Sequence, residues 1–225
     1  MRISIALVCA SLAACASNPS PVFPPPIPAP VPSPHADAPT FRVGQEWAFS
    51  FVNEIDSSKS GGYSQRVERV ENGHAFLSAI VNGAKRSLEL DENACMVRGP
   101  GTAFTPSNEA LRFPLFVGKE WTADYVFSGG DWAANDRRVA KVVSFERVET
   151  PAGSFDAFRI EATIAWSGVA VGSDAGRARQ TAWYAPLVGR VVKERFVDYS
   201  NNKNVAPTST RYELVRYAAA RQADQ

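Results

Sequence analysis

Residues 46–52 (EWAFSFV) place large apolar side chains at every second position, the period of a strand with one buried face. The segments Tyr63–Val70, Ala75–Val81, Lys85–Leu90 and Ala94–Arg98 continue the pattern. They are separated by Asn72-Gly73, Asn82-Gly83 and Asp91-Glu92-Asn93. An Asn-Gly pair accepts the two positive φ values of a tight hairpin turn, so this spacing predicts an antiparallel meander. Glu120–Phe127, Arg138–Val148, Phe155–Ile164, Arg177–Tyr184, Arg190–Tyr199 and Thr208–Tyr217 read as further strands, and Pro- and Gly-rich turns lie between them. Residues 99–113, with Gly99-Pro100-Gly101 and Thr105-Pro106, read as loop. No segment sustains a 3.6-residue period with caps over more than a few turns. The expectation is one all-β domain over residues 41–217. Its antiparallel meander would form a strongly curved sheet, an open barrel or a sandwich, and periodicity does not choose among these. Residues 218–225 are expected as a tail.

A weak internal repeat lies inside this pattern. Phe41-Arg42-Val43-Gly44-Gln45-Glu46-Trp47 is echoed by Leu115-Phe116-Val117-Gly118-Lys119-Glu120-Trp121. Each copy reads as a glycine turn leading into a strand, with the tryptophan as its first large inward residue. The two copies would open two similar half-sheets.

The N-terminal region has a different composition. Residues 1–14 (MRISIALVCASLAA) carry Arg2 and then an apolar stretch too short to span a bilayer as a helix, the form of a secretory signal. The stretch ends in Leu12-Ala13-Ala14-Cys15, which resembles the bacterial lipobox. That resemblance implies cleavage before Cys15, acylation of its thiol and anchoring in a membrane. Ala16 and Ser17 after it imply the outer membrane, facing the periplasm. Ten of the 16 prolines fall between Pro19 and Pro39, so residues 15–40 are expected as a disordered tether. In polyproline II form it could reach on the order of 75 Å.

Three later segments, Phe113–Trp121, Val148–Phe155 and Thr181–Lys193, together resemble a group of exported bacterial β proteins related to the TapB-like domains of unknown function. The resemblance implies an exported all-β domain, many of whose relatives are lipoproteins, and it supplies no catalytic residues. The segments also have a plain reading as turn chemistry: Pro151-Ala152-Gly153-Ser154 joins two strands, and Pro186–Gly189 turns the chain back.

Candidate chemistry is sparse. The formal charge is +1, and losing Arg2 with the signal would leave acidic and basic residues equal in number, which gives no electrostatic case for nucleic acid. Of three cysteines, Cys9 lies in the signal and Cys15 is the candidate lipid acceptor, so Cys95 is expected to be unpaired and buried. His74 follows a turn and has no nucleophile elbow to serve. The His and Cys count is too low for a zinc site, and no calcium or phosphate loop is present, so no metal and no cofactor are expected. Asp124, Asp131 and Asp136 could in principle supply a carboxylate pair, but their surroundings read as an exposed turn. Arg137, Arg138, Arg177, Arg179, Arg190 and Lys193 read as a solvated sheet face. The candidate ligand-pocket aromatics are Trp47, Trp121, Trp183 and Tyr184.

The first functional expectation is a membrane-anchored binding or structural module without catalysis, with an envelope protein or the cell wall as candidate partner. The second is a carrier of a lipid or other apolar ligand in a curved-sheet pocket, a fold-level analogy. A hydrolase comes third.

Overall fold

The computed structural model describes residues 34–81 and 83–219. The signal, Cys15, most of the tether, Asn82 and residues 220–225 lie outside the described residues. His35–Ala36 (β1) and Leu115–Phe116 (β8) form a small two-stranded sheet. The remaining strands are Glu46–Asn53 (β2), Gly61–Glu71 (β3), His74–Val81 (β4), Ala84–Leu90 (β5), Met96–Gly99 (β6), Thr102–Thr105 (β7), Glu120–Gly129 (β9), Trp132–Thr150 (β10), Gly153–Gly168 (β11), Ala175–Ala185 (β12), Arg190–Ser200 (β13) and Thr208–Ala218 (β14). Each pairs antiparallel with its neighbour in the chain. β14 returns to pair with β2, from Thr210↔Asn53 to Ala218↔Glu46, and the meander closes into a twelve-stranded barrel. This closing ladder is what a sandwich or an open barrel would lack. It removes the free backbone edges that an open sheet would expose.

Two boundaries differ from the sequence pattern. β1 lies within the segment expected as tether, and Ala36 is buried against the core. The reason is local: His35-Ala36-Asp37-Ala38 lacks proline, so its N–H groups can pair with β8. The expected loop 99–113 contains β7, because Gly101 at φ 77° permits a tight β6–β7 turn.

The internal repeat has a matching geometry. Gly44 and Gly118 adopt φ of 87° and 94°. The N–H of Gly44 donates to the Val67 carbonyl at 2.9 Å, and that of Gly118 donates to the Val142 carbonyl at 2.8 Å. The N–H groups of Val67 and Val142 donate back to Gln45 and Lys119 at 2.9 and 2.8 Å. A register shift follows each valine, between Val67 and Arg69 in β3 and between Val142 and Ser144 in β10. Trp47 and Trp121 then point inward and are buried. The first copy opens the six strands β2–β7 and the second opens β9–β14.

The barrel is sealed at the end where β2 and β9 begin. One apolar cluster joins Trp47, Phe49, Val67, Leu90, Val192 and Leu214. A second joins Leu111, Leu115, Trp121, Val142, Phe158 and Tyr184. The segment between β7 and β9 contributes Leu111 and Leu115 to that second cluster and so lies across this end. Cys95 is tied into it: its thiol donates to the Leu111 carbonyl at 3.3 Å and accepts from the Leu111 N–H at 3.2 Å. Burial pushes the thiol up to about 12, so Cys95 is a packed residue and not a nucleophile at neutral pH.

Candidate ligand-binding site at the barrel mouth

The opposite end is not filled. There the ends of β9, β11 and β13 and the beginnings of β10 and β12 surround a cavity of about 300 Å³. Its position follows from strand phase. β10 turns Trp132, Ala134, Asp136, Arg138, Ala140 and Val142 to the inside, because these alternate residues share one face. The same phase on β11 ends in Ile164 and Trp166, on β12 it includes Ala178 and Gln180, and on β13 it includes Glu194, Phe196 and Asp198. Thus the sealing apolar positions of these four strands are replaced, toward the mouth, by aromatic and charged ones.

The walls are aromatic. Phe104 of β7 contacts Tyr125 and Phe127 of β9 edge-on, with ring centres 6.0 and 5.4 Å apart. Phe127 meets Trp132 at 5.5 Å, and Trp132 meets Trp166 edge-on at 5.7 Å. Trp166 is seated over a glycine. It lies directly opposite Gly176 on β12, where an added Cβ would come within 2.3 Å of the indole and 2.2 Å of the Tyr199 carbonyl. Any side chain at 176 would displace the ring. The indole Nε1 then donates to Asp198 Oδ1 at 2.7 Å, which fixes that carboxylate at the rim.

The floor is polar. Arg138 is 3% exposed, and its Nε and Nη1 donate to the Asn108 carbonyl at 3.1 Å and to Gln180 Oε1 at 2.5 Å. Gln180 Nε2 donates to Glu194 Oε2 at 2.6 Å, and Tyr212 donates to the same oxygen at 3.4 Å. Burial pushes Glu194 up to about 7 against the opposing effects of the Gln180 hydrogen bond and the Arg138 charge. Asp136 stands on β10 between Tyr125 and Trp166, its register partners. Burial raises it to about 6, with the Tyr125 hydroxyl and Arg138 lowering it and Asp198 adding repulsion. Its Oδ1 is buried without a hydrogen-bond partner. A buried carboxylate oxygen left unpaired is costly, and such groups in native structures call for an explanation.

The aromatics expected to line a pocket are elsewhere. Trp47 and Tyr184 sit in the two different core clusters, and Trp121 shares that of Tyr184. Trp47 Nε1 donates to the Val188 carbonyl at 3.3 Å, and Trp121 Nε1 to the Glu109 carbonyl at 3.1 Å. Trp183 packs beside the first cluster and donates to Glu146 at 2.8 Å. Trp47, Trp121 and Tyr184 begin or end strands at the sealed end, and their inward phase places them in core, whereas Trp183 falls on the opposite phase of β12 from Ala182 and Tyr184 and is half-buried. The expected solvated face also divides. Arg137 faces out and pairs with Asp124 at 3.0 Å, whereas Arg138 is inside, and Arg190 lies over the Trp47 ring at 4.9 Å with Nη1 buried and unpaired. His74, at the β3–β4 turn of the sealed end, has Nδ1 3.0 Å from Glu89 and Nε2 3.9 Å from Glu92. It is remote from the mouth. No cluster of three or more His, Cys, Asp or Glu suited to a metal occurs among the described residues.

Sequence reasoning did weigh Asp136 but read its surroundings as a turn. The available signal was the phase: Asp136 and Arg138 fall in step with Ala134, Ala140 and Val142.

A family model described as DUF3108-like matches residues 131–210, the stretch that holds β10–β13 and thus most of the mouth. No curated protein matches the chain. Two solved structures share the fold. One is an inferred lipoprotein of Parabacteroides distasonis, 17% identical over 79% of this chain and 96% of its own, with a TM-score of 0.51. The other is an inferred exported protein with a YmcC-like fold from Bacteroides fragilis, 14% identical over 82% of this chain and 100% of its own, with a TM-score of 0.50. The chain is therefore similar, in fold, to bacterial proteins described as lipoproteins or exported proteins, and in residues 131–210 to the DUF3108-like family.

Proposed function

We propose that this protein is a lipid-anchored binding module of the bacterial envelope that captures a small, partly apolar molecule in the mouth of its barrel. The observation that carries the reading is the asymmetry of the barrel: one end is packed shut, and the other holds an aromatic-walled cavity of about 300 Å³. Concave sites with apolar walls and a few converging polar groups are the usual form of small-molecule sites, and this volume is at the lower end of their range. A compact ligand fits better than a diacyl lipid. The lipobox-like Cys15, the proline-rich spacer and the TapB-like segments support the anchored, exported placement, on the outer membrane facing the periplasm. Descriptions of the two fold relatives as a lipoprotein and an exported protein support the exported, anchored part of this placement. β1 pairs with β8 at the sealed end, the end opposite the mouth.

The test is native mass spectrometry of the full chain purified from its membrane fraction. The expected result is an added mass, released on unfolding, that is small and absent after Trp166→Ala. Repeated recovery of adduct-free protein that also fails to bind any member of a small aromatic and aliphatic ligand panel would contradict the reading. The anchor is tested separately: an alkynyl palmitate analogue should label the wild type and not Cys15→Ser.

A further inference from the structure

We infer that the mouth pocket selects a ligand bearing a compact cationic nitrogen, an ammonium group seated against Asp136 with its apolar part between the aromatic walls. This inference rests on the binding-module reading and deepens it. Three independent features of the cavity lead to it.

The first is charge. The groups that face the cavity are two carboxylates, Asp136 on β10 and Asp198 on β13, and one guanidinium, Arg138. Arg138 spends its described hydrogen bonds on two neutral acceptors, the Asn108 carbonyl and Gln180 Oε1, so neither carboxylate is neutralised by a direct bond to it. At neutral pH the charged groups lining the cavity leave an excess of one negative charge, and Glu194, behind Gln180 in the floor and held near 7, adds to it. The second is the Oδ1 of Asp136, a buried acceptor without a hydrogen-bond partner, with the Tyr125 hydroxyl of β9 the neutral donor beside the carboxylate. Its environment keeps the proton until about pH 6, so at pH 7 or above the carboxylate is charged, with Oδ1 unpaired and no cation bonded to it. An ammonium supplies up to three donors and the opposite charge together, which is the chemistry that stabilises a desolvated carboxylate best. The third is the wall. Trp132 and Trp166 meet at right angles beside Asp136, and indole faces attract cations more strongly than other aromatic faces do. Two crossed indoles flanking a carboxylate form a corner suited to a cation with an apolar tail. A free carboxylic acid would meet Asp136 and Asp198 as like charges, and a neutral alcohol would leave the charge excess unanswered.

The experiment is calorimetric titration of the full chain at pH 7.5 with three matched probes: 2-phenylethylammonium, 2-phenylethanol and 3-phenylpropionate. The ammonium is expected to bind at least about tenfold more tightly than the alcohol, with the carboxylate weakest. Asp136→Asn should bring ammonium and alcohol to within about twofold of each other, chiefly by weakening the ammonium, and should leave thermal stability unimpaired. Lowering the pH from 7.5 to 5 should weaken the wild type toward the ammonium by more than it weakens the Asp136→Asn variant, in which Glu194 is the group of the floor that still titrates in this range; equal weakening would overturn the assignment to Asp136. Equal binding of ammonium and alcohol, indifferent to Asp136→Asn, would overturn the cation assignment while leaving an aromatic pocket in place. Preference for the carboxylate would overturn it too, and would make Arg138 the recognising group. Failure of all three to bind, with Trp132 and Trp166 unperturbed, would overturn the pocket reading itself.

Discussion

The two halves of the barrel begin alike and end differently. Each opens with a left-handed glycine that bonds a buried valine on the next strand, a register shift beyond that valine, and an inward tryptophan. The first half then builds short strands, down to the four-residue β6 and β7, while the second runs to nineteen residues in β10 and sixteen in β11. The extra length lies above the sealing core. It carries Trp132, Asp136, Arg138 and Trp166 past the apolar clusters to the mouth. The starting device is thus about folding and is shared, whereas the pocket belongs almost wholly to the second half, with Phe104 of β7 as the first half's contribution.

The sharpest way to break this comparison is at the two tryptophans. Trp47→Ala and Trp121→Ala each remove a buried indole from a core cluster and should each cost about 3–5 kcal/mol, read as a fall in denaturant midpoint. Strongly unequal losses would end the equivalence of the halves. Trp166→Ala, at the half-buried mouth, should cost less than either and abolish ligand binding.

A smaller effect is expected at the glycines. A Cβ at Gly118 meets nothing within 4 Å, and at Gly44 only Arg66 at 3.9 Å, so the penalty of alanine is the left-handed backbone alone. Gly44→Ala and Gly118→Ala should each lower stability by about 1–2 kcal/mol. Gly176→Ala differs in kind, since its Cβ collides with the Trp166 ring and the Tyr199 carbonyl. It should cost more stability than either of those substitutions, because the β13 backbone must shift, and it should weaken binding as well.

The second half also carries a pH signature. Burial holds Glu194 near 7 and Asp136 near 6, both above their ordinary values, so the folded state binds these protons more readily than the unfolded chain. Their contribution to stability is therefore full at low pH and is lost as pH rises from about 4 through about 7. Glu194→Gln should flatten the melting temperature against pH between 5 and 8 and should raise it at pH 8. An unchanged slope would mean that Glu194 is not buried as described.

Much of the fold was legible because it depends on local rules. Asn72 and Gly73 adopt φ of 51° and 82°, the tight turn that their pairing in sequence predicts, and the alternation in β9 places Trp121, Ala123 and Tyr125 inside. Closure was not legible, since the β14–β2 ladder joins residues more than 150 positions apart and leaves no mark on either strand's pattern. The pocket was half legible. In-phase Asp136, Arg138, Gln180 and Glu194 betray a polar interior, but only the assembled barrel brings six strands together around it. The opposite error has the same origin: large aromatics such as Trp47 and Tyr184 attract attention as pocket residues, and their place at the sealed end makes them core.

The most direct measurement uses the five tryptophans as reporters. In a two-dimensional ¹H–¹⁵N spectrum of the full chain, with indole signals assigned by single Trp→Phe variants, 2-phenylethylammonium is titrated at pH 7.5. The account predicts saturable shifts of the Trp132 and Trp166 indoles, with Trp47, Trp121 and Trp183 unmoved. Shifts centred on Trp47, Trp121 or Trp183, or no shift of any indole at millimolar ligand, would contradict it.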